Sequence, residues 1–369
     1  RVDARRELPR YATAGEEFVY RVTVTNRGAK PLSGASIAER FCDPRPSYDE
    51  WRAAREPGEQ RRNWFDREAG YFRWRWLIER RIPQHATHAA LPPLAPGESS
   101  TVRLSFQPRR RGRIELAGLD LAHVDPLGMV KGLARVPLQA RVVALPRRYR
   151  IPQIALPGAR KFQQGGVSLS AAIGDSQEFL SLRDYRPGDP LQHLHWKSFA
   201  RTGKPIVKEY QDEFFERHAL VLDTGSAGGE DAAFEEAVAV AASFVHTIDS
   251  QECLLDLLFV GGDVKTFTAG RGLSQAEQML EVLAGVNASA PSRFAELART
   301  VLSRRTTISS IIAVLLAWDE PRRRFIAEAR ASGLDVRALL VTESTQPIEV
   351  PGVLVLRPGE IQQGLASLQ

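Results

Sequence analysis

The chain has 369 residues, 43% hydrophobic and 25% charged, with a formal net charge of +6; such proportions exclude a fibrous repeat or a long disordered chain. The longest uncharged, mainly apolar run, residues 306–318, falls short of the roughly 20 residues that span a bilayer. Two cysteines, Cys42 and Cys253, exclude a disulfide framework and favour a reducing compartment.

The length suggests two domains or three. Charge is divided unevenly between them. Residues 1–150 hold 29 Lys and Arg, 27 of them Arg, against 17 Asp and Glu, while the remainder holds 21 against 27. The basic half is read either as an Arg-rich solvated surface or as a face toward anionic lipid headgroups. No helix-turn-helix, zinc-finger or aromatic RNA-binding pattern supports a nucleic-acid partner. The opening Arg1-Val2-Asp3, without an initiating Met, reads as the edge of a longer protein.

In chain order, residues 17–26 alternate apolar and polar and predict a half-buried strand closed by Asn26-Arg27-Gly28. Residues 101–106, 113–117 and 139–145 predict further short strands, separated by turns such as Ala95-Pro96-Gly97-Glu98. Their spacing argues an immunoglobulin-like β-sandwich over residues 1–145. Residues 43–93, with Trp51, Trp64, Trp74 and Trp76 among many arginines, read as an insertion between strands. Its aromatics either form a binding surface or pack on the sandwich. Residues 146–166 make a Pro/Gly-rich linker, and residues 167–212 a separate polar segment that braces the domain after it.

From residue 213 the pattern changes. Apolar strands are predicted at 219–222, 253–260, 308–317, 336–341 and 353–356, and amphipathic helices at 231–248, 275–286, 294–305 and 322–331. That alternation indicates a doubly wound α/β domain, so the whole is an α+β multidomain chain. In such a sheet ligands bind at the carboxyl ends of the strands. The first exit, Leu222-Asp223-Thr224-Gly225-Ser226-Ala227, lacks the Gly-Lys-Ser/Thr of a phosphate loop. An Asp followed by hydroxyls instead suits a hard divalent cation.

The loop resembles the metal-binding motif Asp-x-Ser-x-Ser of von Willebrand factor A-type domains. Asp223 matches, and Asp319 stands where that family supplies a later Asp. The serine positions, however, fall on Gly225 and Ala227, with Thr224 and Ser226 out of register by one. So few oxygen ligands predict no tightly held Mg²⁺, only a degenerate loop serving as a contact surface. Asp223, Ser226 and Asp319 are the remaining candidates for weak binding.

The densest polar stretch precedes this domain. There His193, His195 and Asp189 are candidates for zinc, but no fourth ligand has metal spacing. Ser181 and Ser198 lack the elbow of a nucleophilic serine. The charges predict a network that locks irregular backbone, with Trp196 buried and Arg183 or Arg201 paired to a carboxylate. A partner-binding surface is the other reading.

This stretch also resembles the signature of the bacterial family called domain of unknown function 58. The matching residues are Glu178-Phe179, Leu182-Arg183-Asp184-Tyr185, Gly188-Asp189, Trp196-Lys197, Ala200-Arg201-Thr202-Gly203 and Val207-Lys208-Glu209. The chain departs at Gln192 and His195, where Arg and Asp are frequent. Gly112-Arg113 and Asp125-Pro126-Leu127-Gly128 resemble further elements of that family. The resemblance implies a cell-membrane protein, anchored by two helices ahead of a soluble, cytoplasmic part, and paired with a MoxR-type AAA+ ATPase. The expected function is a non-enzymatic adaptor acting on that ATPase and its client proteins. The alternative is a metal-dependent hydrolase or adhesion domain. A catalytic set of nucleophile, base and orienting group is not legible in the spacing.

Overall fold

The computed structural model describes residues 2–56, 58–124, 129, 131–152, 177–186, 194–212, 216–226, 232–248, 253–261, 263–269, 273–344 and 350–368. The amino-terminal part is a β-sandwich. Strands β1 (Val2–Glu7), β3 (Phe18–Asn26) and β6 (Ser99–Phe106) form one antiparallel sheet. The other has the order β2-β8-β7-β4-β5, from β2 (Tyr11–Thr13), β4 (Ala35–Phe41), β5 (His88–Ala90), β7 (Gly112–Val124) and β8 (Lys131–Leu145). On β3 every second residue points inward, so Phe18, Tyr20, Val22 and Val24 are buried against Ile37, Leu119 and Val142 of the facing sheet. Phe106 sits at the centre, with ring centroids 5.2 Å from both Phe18 and Phe41.

An ion pair is sealed inside this sandwich. Arg6 Nη2 lies 2.5 Å from Glu39 Oε1, and Tyr20 donates to Glu39 Oε2 at 2.7 Å. Burial pushes the Glu39 carboxyl above its ordinary range, although the Tyr20 hydrogen bond and the Arg6 charge pull the other way. β1, β2 and β4 escape a periodicity reading because they are short or strongly charged; β1 is Val-Asp-Ala-Arg-Arg-Glu.

The insertion is helical, which its sequence does not announce. Helix α1 (Tyr48–Ala53) starts with a capping box, in which Ser47 Oγ accepts from the Glu50 N–H and Glu50 accepts from the Ser47 N–H. A 3-10 turn (Glu59–Arg61) then leads to α2 (Trp64–Ala69) and α3 (Tyr71–Arg81). Gly70 joins these two helices at φ 61°, and its carbonyl accepts from Trp51 Nε1 at 3.0 Å. A β-carbon at Gly70 would press into the Trp51 ring. The short helices pack poorly by themselves and leave Trp64 and Phe65 72% and 64% exposed.

Residues 177–212 contribute β9 (Gln177–Asp184), α4 (Trp196–Thr202) and β10 (Ile206–Asp212); β9 and β10 pair as a separate antiparallel two-stranded sheet. The rest is a six-stranded sheet with the order β13-β12-β11-β14-β15-β16. It comprises β11 (Glu216–Leu222), β12 (Cys253–Gly261), β13 (Asp263–Ala269), β14 (Ser310–Leu315), β15 (Asp335–Val341) and β16 (Val353–Leu356). Neighbours run parallel except β12 and β13. Helices α5 (Ala232–Ile248), α6 (Leu273–Ala284) and α9 (Ile361–Ala366) share a core with Leu220 and Leu222. Helices α7 (Phe294–Ser303) and α8 (Glu320–Ala331) share another with Ala219 and Val221. Alternate residues of β11 thus feed opposite layers, which explains why these strands read as continuous apolar runs.

His218, at the base of β11, is 1% exposed and places Nδ1 2.7 Å from Ser310 Oγ on β14. Burial lowers its pKa below the ordinary value. The unfolded chain therefore takes up a proton near pH 6.5 that the folded chain resists, and stability present above that pH is lost as the pH falls. Thermal melts of the wild type should drop between pH 7 and pH 5, and His218→Gln should weaken that slope. A parallel slope in the variant would show that other groups set it.

Candidate functional site at the carboxyl edge of the sheet

Asp223 emerges at the carboxyl end of β11, where a parallel sheet presents ligand-binding groups. Its side chain is buried and fully engaged. Oδ1 accepts from the Gly225 N–H at 2.9 Å, and Oδ2 from the Leu316 N–H at 3.1 Å. The Arg322 guanidinium, from the first turn of α8, donates to the same carboxylate twice, Nη2 to Oδ1 at 3.0 Å and Nε to Oδ2 at 3.1 Å. Its third nitrogen, Nη1, donates to Asp319 Oδ2 at 2.6 Å.

Arg322 therefore bridges the two carboxylates that the sequence offered as metal ligands. It is 1% exposed, like Asp223, and its Cζ stands 4.5 Å from the centroid of the Phe294 ring. Asp319 also caps α8, accepting from the Arg322 N–H at 3.2 Å. Gly225 makes room for the guanidinium, since a β-carbon there would lie 2.8 Å from Arg322 Nη2 and 2.9 Å from Pro291 Cα. A hydroxyl residue at 225 and an arginine at 322 thus compete for one space. These residues do not fit a Mg²⁺ ion, because a fixed organic cation already neutralises the carboxylates.

The neighbouring Thr224 and Ser226 are also built into the edge, the first by its hydroxyl and the second by its backbone. Thr224 Oγ1 bonds the Val260 carbonyl and Ser289 Oγ, each at 2.9 Å. The Ser226 N–H donates to the Ser289 carbonyl at 3.2 Å. Arg322 itself was missed in the sequence, where it marked only the start of a helix. Its signal is Asp319-Glu320-Pro321-Arg322, a capping Asp with a cation three residues on, which one helical turn brings together.

The signature segment differs from its expectation. Glu178 and Arg183 lie on β9, Tyr185 just beyond it, and Trp196, Lys197 and Arg201 on α4. Gly188, Asp189 and His193 lie outside the described residues. Trp196 is not buried: it is 63% exposed and meets Phe199 edge-on at 6.2 Å. A seven-residue helix has no wide apolar face, and among the described residues of this segment the buried ones are Leu194 and Val207, bridged across it. Arg201 is exposed and has no carboxylate partner among the described residues, and Arg183 Nη1 donates to the Asp184 carbonyl at 3.2 Å. The predicted burial of Trp196 is therefore corrected to an exposed aromatic on α4, beside an equally exposed Arg201. His195 Nδ1 reaches Ser198 Oγ at 2.6 Å, a contact across the first turn of α4.

The sandwich docks onto the six-stranded sheet through Arg111, which sequence reasoning also passed over. Only 5% exposed, Arg111 donates to the Leu283 carbonyl at 3.1 Å and the Val286 carbonyl at 2.6 Å. Arg110 and Arg111 both pair with Glu235 of α5. Tyr149 extends the seam, its N–H donating to Ser243 Oγ at 2.7 Å and its hydroxyl to Glu236. The signal in the sequence was the basic run Arg109-Arg110-Arg111-Gly112-Arg113.

A family model described as "Protein of unknown function DUF58" matches residues 181–351. The uncharacterized protein YeaD of Bacillus subtilis (strain 168) is 28% identical over 182 residues, which cover 49% of this chain and 44% of that protein. The match thus spans less than half of that relative. Among solved structures, the CARDB domain of PF1109 from Pyrococcus furiosus matches 39% of this chain and 91% of its own, at 13% identity and a TM-score of 0.20. A PapD-like domain of human CEP192 matches 39% of this chain and 84% of its own, at 15% identity and a TM-score of 0.19. Scores this low carry no weight for the fold.

Proposed function

Residues 181–351 match the DUF58 family model, and from that premise we propose that the protein is a non-enzymatic, membrane-tethered adaptor working with a MoxR-type AAA+ ATPase and its clients. The observation that carries this reading is the Arg322 bridge between Asp223 and Asp319. It occupies the strand-exit position with the protein's own charge, so that edge serves as a rigid contact surface rather than as a reaction centre. We read the six-stranded sheet as von Willebrand factor A-like, a reading supported by its strand order and by the antiparallel β13 at one edge. The exposed Trp64, Phe65, Tyr71 and Trp74 among arginines support a sandwich that lies against lipid, since aromatic rings and arginines suit the headgroup region. Among the described residues no helix is long and apolar enough to cross a membrane, so the tether in this proposal lies elsewhere.

Co-sedimentation tests the proposal. The purified chain and the MoxR-type ATPase of the same organism are mixed with vesicles rich in phosphatidylserine. The expected result is that the ATPase pellets only when the chain is present, and that salt releases both, at about 1 kcal/mol per basic residue near the surface. An ATPase left in the supernatant, or a chain indifferent to lipid charge, would overturn the corresponding half of the proposal.

A further inference from the structure

A cleft of about 940 Å³ lies between the helical insertion, the start of β7 and residues 288–290 of the six-stranded-sheet region. Its walls carry seven arginines, Arg109, Arg110, Arg111 and Arg113 among them, against three carboxylates, Asp43, Glu50 and Glu115. All three carboxylates are already neutralised. Asp43 accepts from Arg45 Nε at 2.8 Å, Glu50 from Arg81 Nη2 at 3.0 Å, and Glu115 lies 3.1 Å from Arg141 Nε. Arg110 and Arg111 are held by Glu235. Arg109 and Arg113 are exposed and have no carboxylate partner among the described residues. The cleft therefore holds positive charge that no described group around it cancels.

Its shape argues for the class of ligand. Arg113 also lines two further hollows along the same seam, next to Glu281 and Gly285 in one and Phe259 and Lys265 in the other. Open to solvent and continued by these hollows, the space is unlike the enclosed, mainly apolar pockets that bury small molecules. We propose that this groove binds an extended acidic segment of a partner protein, with Arg109 and Arg113 supplying the free charges. The proposal deepens the adaptor reading and rests on it. Binding would place the partner against both the sandwich and the Ser226–Ser289 rim, so one segment would sense how the two parts are docked.

The test uses a fluorescein-labelled decaglutamate peptide and the full chain, read by anisotropy at low salt. Binding is expected, weakening as salt screens the charges. Arg109→Glu with Arg113→Glu should weaken it at least about tenfold, or about 1.4 kcal/mol. Arg21→Glu with Arg103→Glu changes the net charge equally but lies on the outer face of the β3–β6 pair, and should retain most of the affinity. Cys42 is exposed and lines the cleft, so the peptide should also slow its reaction with maleimide. Equal losses in the two double variants, or no salt-sensitive binding, would overturn the proposal. Anionic vesicles that bind through Arg109 and Arg113 while the peptide does not would overturn it in favour of lipid. If the peptide fails to bind while the ATPase is still recruited to vesicles, the cleft assignment falls and the adaptor reading stands.

Discussion

Arg322→Ala is expected to lower stability by about 3–5 kcal/mol, because it strands a buried Asp223 carboxylate without its counter-ion. For a domain of this size that corresponds to a fall of roughly 6–20 °C in melting temperature. The three members of the bridge should not be equivalent. Without Asp223, Arg322 keeps Asp319 at 2.6 Å, and without Asp319, which is 44% exposed, it keeps both bonds to Asp223. Losses should therefore rank Arg322→Ala first, then Asp223→Ala, then Asp319→Ala. The guanidinium also explains why calorimetric titration of the wild type with Mg²⁺ or Mn²⁺ should be flat. Micromolar metal binding abolished by Asp223→Ala would overturn that account, and an Arg322→Ala melt matching the wild type would show that the bridge is not needed for stability.

Arg111→Ala should have the next largest effect, of a different kind. The substitution removes hydrogen bonds to Leu283 and Val286 and one of the two arginines on Glu235, while Arg110 still holds that carboxylate. A loss of about 2 kcal/mol is expected, concentrated at the seam between the sandwich and the six-stranded sheet. Each unit has a core of its own, while Tyr11, Val143 and Leu145 of the sandwich also pack into the α5–α6 core across the seam, so the variant should loosen the coupling between the two units and make the seam the first site of proteolytic cutting. A melt at the wild-type temperature with no new cutting at the seam would show that Tyr149, Gln362 and the buried Leu145 hold it without Arg111.

Much of the fold was legible because burial imposes period. The alternation of Phe18, Tyr20, Val22 and Val24 can be satisfied only by a strand with one buried face. The apolar runs of β11 and β14 need a sheet covered on both sides, and their flanking helices carry the matching stripes. Elements without such a stripe were not legible. The insertion helices expose most of their aromatics and are set by caps at Ser47 and Asn63 rather than by amphipathic spacing. β13 is an edge strand of mixed polarity, and the sequence reading assigned no element between residues 260 and 275.

For the candidate site, the sequence by itself determined which ligands were missing. Gly225 supplies no hydroxyl where a metal motif requires one, and that is a statement about residue type alone. It also determined the net charge of the amino-terminal half. Only the tertiary structure decided what those features are for. Asp223 and Arg322 are 99 positions apart, and their meeting depends on β14 lying beside β11 and delivering α8 to the same edge. Likewise, Arg109 and Arg113 are left over only because Arg110 and Arg111 turn into Glu235 across the seam. Charge composition counts cations, but which of them remain unpaired is set by long-range packing, and that pairing is invisible in a linear sequence.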